Sequence, residues 1–200
     1  MPNRILILFA HPLFEKSNAN SLLVQNIPQS EYITFHDLYQ EYPDFDVSMQ
    51  REQELLLMHD IIIWHHPMYW YSCPPLLKQW IDIVLEHGWA YGKEGTALKN
   101  KLLLQVVTTG GKKENYSAIG RDHFTIKQLL EPFSQTARVC NMHYLPPFVI
   151  HGTHSMDTKG YTENAQLYRQ VLEYLENRII NPDELSGFEY FNDWFTDKLK

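Results

Sequence analysis

Residues 60–87 read DIIIWHHPMYWYSCPPLLKQWIDIVLEH, and three patterns follow one another within them. Asp60–His65 is β-branched and aromatic with no polar alternation, the pattern of a strand covered on both faces. Pro74–His87 places Leu76, Leu77, Trp80, Ile81, Val84 and Leu85 at three-and-four spacing, the apolar stripe of an amphipathic helix. Gly88 supplies the left-handed stop behind it. Between strand and helix lies a loop with three consecutive aromatics, Tyr69, Trp70 and Tyr71. A buried strand running through a loop into a helix is the first half of a crossover between parallel strands.

The same alternation continues outward in both directions. Arg4–Ala10 (RILILFA) is a second buried strand, and Asn18–Asn26 reads as a helix with Leu22 and Leu23 inward. Glu31–Phe35 is a weaker strand, Asp37–Asp46 a turn-rich loop, and Met49–His59 a helix starting at Ser48. Lys101–Thr108 (KLLLQVVT) is the fourth strand, and Asp122–Thr136 a helix that Pro132 bends or shortens. Arg138–Ile150 holds a fifth strand and Asn164–Arg178 a last strong helix. Five strands alternating with helices predict an α/β fold: a mainly parallel sheet of order 2-1-3-4-5 with helices on both faces. This is the flavodoxin-like or Rossmann-like class, whose ligands sit beyond the carboxyl ends of the strands. Residues 1–180 read as one domain. The acidic, aromatic tail 181–200 spaces Phe188, Tyr190, Phe191, Trp194 and Phe195 as an appended amphipathic helix, with no function legible in it.

Composition narrows the function classes. Seventeen basic against 24 acidic residues leave a net charge of −7, which argues against binding a phosphate backbone or an anionic lipid surface. Two cysteines, Cys73 and Cys140, exclude a disulfide framework or a Cys-rich zinc site. The apolar run Ile5–Ala10 is too short for a signal peptide, and nowhere do ~18 apolar residues run together. A soluble cytoplasmic protein is expected. There is no GxGxxG, P-loop, GxSxG or HExxH, and the adjacent His65 and His66 point to opposite faces of their strand, so no metal site is expected.

Three loops carry chemistry, and each follows a strand. After the first come His11-Pro12 and then Ser17-Asn18-Ala19-Asn20, hydroxyl and amide groups at a helix N-terminus that suit an anion. After the third comes Pro67-Met68-Tyr69-Trp70-Tyr71, an aromatic wall for a flat ligand. After the fourth come Thr108-Thr109-Gly110-Gly111, where paired glycines admit a ligand close to the backbone and N–H groups face a developing anion. An N-cap, a packed loop and a tight turn are the ordinary readings of the three taken singly. Their convergence at the switch point of a 2-1-3-4-5 sheet describes a site for FMN, or for the FMN half of FAD. The phosphate would sit at Ser17–Asn20, the isoalloxazine edge at Met68–Tyr71 and its pyrimidine end at Thr108–Gly111.

Several stretches resemble the NAD(P)H:quinone oxidoreductase family, and within it the ancillary cytoplasmic subunits of glutathione-gated potassium efflux systems. They are Ala10-His11-Pro12 with SNAN, LYQEYPDF at Leu38–Phe45, the block His66–Leu98, VVTTGG at Val106–Gly111 and YLPPFVIHGT at Tyr144–Thr153. The resemblance covers residues 3–178. It implies a dimeric flavoenzyme with FMN contacts at His11, Ser17–Asn20, Met68–Tyr71 and Thr108–Gly111. It also implies two-electron ping-pong transfer from NAD(P)H through the flavin to a quinone-like acceptor. Tyr116 fits the family's first proton-relay position, whereas the second falls on Asp122 with His123 beside it. Trp80, Trp89 and Tyr91 are the interface candidates. Cys73, just before a helix start, is placed either for thiolate chemistry or for packing. Two rival functions stand beside the enzyme. One is a regulatory partner docking on a potassium efflux transporter at the inner membrane, with the aromatic tail exposed. The other is a flavodoxin-like electron carrier.

Overall fold

The computed structural model describes residues 1–200. Its strands are β1 (Ile5–Phe9), β2 (Ile33–Asp37), β3 (Ile61–Pro67), β4 (Leu102–Thr108), β5 (His143–Tyr144) and β6 (Phe148–Ile150). All pair in parallel in the order β2-β1-β3-β4-β5, with β6 also on β4. This is the sheet the sequence indicates, with a sixth strand. The extra one arises inside residues 138–150, where β5 takes Leu102 and Leu103 of β4, and β6 takes Val106 to Thr108. Pro146 and Pro147 lie between them and have no N–H for the ladder, so one expected strand becomes two short ones.

The helices are α1 (Asn18–Gln25), α2 (Leu38–Glu41), α3 (Met49–Leu57), α4 (Pro75–Val84), α5 (Ile126–Leu129), α6 (Glu131–Val139), α7 (Thr158–Asn177) and α8 (Phe191–Lys198). Side chains alternate along a strand, so Ile62 and Trp64 of β3 enter one apolar layer, shared with α2 to α6. Ile61 and Ile63 enter the other, beneath α1, α7 and α8. Burial of both faces is why β1 and β3 show no polar residues within their apolar runs.

Local chemistry moves several boundaries. The loop 37–46 contains α2, started by Asp37, whose carboxylate accepts the Tyr39 and Gln40 N–H groups. The helix expected over 122–136 starts only at Ile126, behind a Thr125–Gln128 capping box, and breaks at Leu130 ahead of Pro132. α7 begins at Thr158 because Asp157 caps it by accepting the Gly160 N–H. α4 stops at Val84, short of His87, and Gly88 at φ +86° turns the chain beyond it.

Two packing expectations are corrected. Trp80, read as an interface aromatic, is fully buried within the chain, with its indole N–H on Glu52, while Trp89 and Tyr91 are half-buried. The aromatic tail is not exposed either. Phe191, Trp194 and Phe195 are buried in the second apolar layer, and Tyr190 in the first. Asn192 exchanges hydrogen bonds with the Val149 backbone: Val149 N–H donates to Oδ1 at 2.8 Å, and Nδ2 donates to Val149 O at 3.1 Å. No helix is long and apolar enough to cross a membrane.

Candidate functional site

The loops after β1, β3, β4 and β6 meet at one edge of the sheet. After β1, His11 is buried and accepts the Leu13 N–H on Nδ1 at 3.2 Å; burial lowers its pKa and keeps the ring neutral. Ser17 caps α1, its Oγ accepting from the Asn20 N–H at 3.3 Å and from Asn20 Nδ2 at 2.9 Å. The Asn18 and Ala19 amides have no protein partner, and they line a cavity of about 470 Å³ with Lys16 beside them. Free N–H groups at a helix start and a nearby ammonium make an anion seat.

Asn20 ties that seat to the sheet. Its Nδ2 donates to Thr108 Oγ1 at 3.1 Å, and its Oδ1 accepts from His65 Nε2 at 3.1 Å. The Tyr168 hydroxyl donates to His65 Nδ1 at 3.4 Å. Burial pushes the His65 pKa down to about 3, which keeps the neutral ring this donor–acceptor pattern requires. His66 faces the opposite side, lowered to about 4 by burial, and donates from Nδ1 to Pro67 O.

After β3, Tyr69 and Ser72 exchange N–H···O bonds of 3.1 and 3.0 Å around Trp70 and Tyr71, whose φ angles are +47° and +63°. Two left-handed residues in a tight turn are the business of Asn and Gly, and an L side chain there costs about 1–2 kcal/mol each. Trp70 is 93% exposed, so no burial offsets that strain. Strain left uncompensated by burial, together with an exposed indole, sets this loop apart from the packed turns of the fold.

After β4, a Cβ on Gly110 would lie 2.4 Å from the His154 ring, and one on Gly111 2.9 Å from the Tyr116 hydroxyl. Neither amide has a backbone partner. Thr109 Oγ1 donates to Gly111 O at 2.9 Å and lies 3.3 Å from His151 Nδ1. Burial raises the Tyr116 pKa, so its hydroxyl stays protonated. Asp122 is held by Arg121 at 3.0 Å and receives the Tyr71 hydroxyl at 3.5 Å; the ring packed on Tyr116 is instead His151, with centroids 5.7 Å apart. His151 Nε2 is buried without a partner, and burial lowers that ring to about 4.

A second cavity of about 590 Å³ adjoins the first, sharing Met68, Gly110 and His154 with it. His11, Ser17, Asn18, Ala19, Asn20, Met68, Tyr69, Thr108 and Gly110 line the first; Trp70, Tyr71, Gly111 and Tyr116 line the second. Thr109 lines neither. Lys16, Lys112, Arg121, His154 and Tyr161 also line these cavities and escaped the sequence reading. His154 had a signal, since HGTH directly follows the strand beside β4 and so ends at the same sheet edge. A separate cavity of about 410 Å³ between α6 and the segment before α8 contains none of the expected residues. Cys73 is buried and its thiol is pushed up to about 11 by burial, so it packs rather than reacts.

Residues 3–174 match the model of a family described as having a flavodoxin-like fold. The glutathione-regulated potassium-efflux system ancillary protein KefG of Yersinia enterocolitica is 42% identical over 172 residues, covering 86% of this chain and 94% of that protein. The general stress protein 14 of Treponema denticola, whose crystal structure holds FMN, superposes with a TM-score of 0.82 at 36% identity, over 86% of this chain and 99% of that one. An NADPH-quinone reductase from P. pentosaceus superposes with a TM-score of 0.77 at 34% identity, over 84% and 97%. With the parallel sheet, its strand order and this match over most of its length, the chain belongs to the flavodoxin-like family.

Proposed function

We propose that this chain is an FMN-dependent NAD(P)H:quinone oxidoreductase working by two-electron ping-pong transfer. The observation that carries the reading is the junction of the two cavities at Met68 and Gly110: an anion seat on one side, a half-open aromatic pocket on the other. The residues fit FMN on their own geometry. Asn18 and Ala19 offer free amides to a phosphate, and Gly110 and Gly111 offer two more at positions where a Cβ would press on the His154 ring and the Tyr116 hydroxyl. FAD would use the same contacts through its FMN half. When bound, the flavin supplies the redox chemistry between NAD(P)H and a quinone-like acceptor.

The chain's own residues divide the remaining work. Ser17–Asn20 and His11 would hold the phosphate end, Met68–Tyr71 would wall the ring, and Thr108, Gly110 and Gly111 would line its polar edge, with Thr109 buried behind them on Ile150 and Gly111. Tyr116 holds a proton beside Gly111. The second cavity receives donor and acceptor in turn, with Lys112 and Arg121 at its rim for the phosphates of the nucleotide. Absorbance of the purified chain with FMN, before and after anaerobic NAD(P)H and then a quinone, tests this. Bleaching followed by recovery is expected. Bound flavin that no nicotinamide reduces would overturn the enzyme reading and point to an electron carrier or a sensor.

The similarity to KefG favours a second role alongside the first: an ancillary subunit that docks, as a dimer, on the cytoplasmic face of a potassium efflux transporter. Gating unchanged by deletion of this protein would sink that role, and a monomer by light scattering would remove the dimer.

A further inference from the structure

α8 lies beyond residue 174, where the family match stops, and 86% of this chain accounts for 99% of the FMN-bound T. denticola protein, leaving that relative almost nothing to match α8. Even so, the start of α8 is fastened to the candidate site by two routes. Phe191 N–H donates to Pro147 O at 2.9 Å and Asn192 brackets Val149, which ties the segment to β6. The chain leaving β6 is bonded to the β4 loop: Thr109 N–H to Ile150 O at 2.8 Å, Gly152 N–H to Gly111 O at 2.8 Å, Thr153 N–H to Thr109 O at 3.0 Å. On the second route, the Tyr190 ring meets His151 edge-on with centroids 5.5 Å apart. Lys113 Nζ lies 4.6 Å over the same Tyr190 ring and 3.6 Å from Asp193.

We propose that Tyr190 and Asp193 are positioning residues, forming a clamp that acts through His151 and Lys113 to hold Thr109–Gly111 and Tyr116 in place and so tightens FMN binding. The FMN clause rests on the function proposed above; the clamp itself does not. An aromatic edge contact and a cation–π contact are both interactions of fixed geometry, suited to holding a loop in one register. The clamp also encloses His151, whose Nε2 is buried without a partner.

The test uses the full chain, with Tyr190→Leu, Tyr190→Phe, Asp193→Asn and Lys113→Met. Hydrogen exchange of the bonded loop amides Thr109, Asn115 and Tyr116 is followed without flavin, and FMN affinity by fluorescence quenching. Tyr190→Leu is expected to speed loop exchange and weaken FMN binding about tenfold each, with α7 amides unchanged. Tyr190→Phe keeps the ring contacts and should restore both. If Tyr190→Leu does not fold, Asp193→Asn and Lys113→Met, at a half-exposed pair, should each accelerate the loop about twofold. Wild-type exchange and affinity in the folded variants would overturn the clamp, as would Tyr190→Phe behaving like Tyr190→Leu. If the unaltered chain binds no FMN, the cofactor reading falls and loop exchange alone decides the clamp.

Discussion

Replacing Glu52 by Gln should remove about 3–4 kcal/mol of stability without touching the candidate site. Glu52 is fully buried in α3 and accepts three hydrogen bonds: Tyr42 hydroxyl at 2.6 Å and His36 Nε2 at 2.9 Å on Oε1, and Trp80 Nε1 at 2.7 Å on Oε2. One carboxylate thus joins β2, the end of α2, α3 and α4. Burial alone would raise its pKa, but the bonds from His36, Tyr42 and Trp80 outweigh that and leave it below the ordinary value. A glutamine has one acceptor end, so its amide must face either the indole N–H or the His36–Tyr42 pair. Keeping Oε1 on His36 and Tyr42 costs about 1 kcal/mol per bond as charge assistance is lost, and the stranded indole N–H adds about 1–3. Relief of the carboxylate's desolvation subtracts from this, which is why the lower half of that range is expected. Urea unfolding at pH 7.5 measures it: the midpoint should fall with the slope unchanged. In the double variant with Trp80→Phe the costs should fail to add by about 1–2 kcal/mol. A loss under about 1 kcal/mol, or strict additivity, would refute the argument that the carboxylate is ionised and holds all three donors. Because the folded pKa is depressed, this stabilisation is complete above about pH 4.5 and is lost as the pH falls below it.

His65 and His66 give a second acid dependence: with folded values near 3 and 4 against an ordinary 6.5, the unfolded chain takes up protons that the folded chain refuses. Stability should therefore fall as the pH drops below about 6.5, by up to about 3 kcal/mol per ring by pH 4. A urea midpoint that is flat from pH 7 to 5 would contradict this. Asn20→Ala strips three hydrogen bonds and strands the His65 Nε2 proton. It should cost about 2–3 kcal/mol and weaken FMN binding at least about tenfold, read by chemical unfolding and fluorescence titration. Trp70→Gly relieves a left-handed residue that buries nothing, so stability should rise by about 1 kcal/mol while turnover with quinone falls. A gain in both, or a loss of stability, would remove the binding role proposed for that loop.

Strand order was legible because β1 and β3 are buried on both faces and β4 nearly so, which writes continuous apolar runs into the chain; that the three loops gather round adjoining cavities was legible because all of them follow strands. The packing misses share a cause: each depends on a partner far away in sequence. Glu52 sits in MQREQELLL, where a glutamate reads as solvated, and only the fold brings His36 and Trp80 to it. Trp80 is an interface candidate through the resemblance alone; its place on the apolar stripe of α4 already points inward, and only its acceptor, Glu52, is hidden from the sequence. The tail's helical spacing was visible, but not that Val149 and Pro147 present an open backbone for it. The split of the fifth strand is the exception, since Pro146 and Pro147 are local and lack the N–H groups a continuous ladder needs.

α8 follows every strand in chain order, so synthesis delivers all six strands before the helix that covers the last of them. Until it docks, β6 presents unpaired backbone beside the apolar surface that Phe191, Trp194 and Phe195 later bury. An open strand edge with an apolar flank is a template for pairing with another chain. The nascent protein is therefore at its most adhesive late in translation. Ribosome stalling or premature termination between residues 150 and 190 should leave products that are retained by chaperones or degraded, and expression yield should respond to how quickly this stretch is translated.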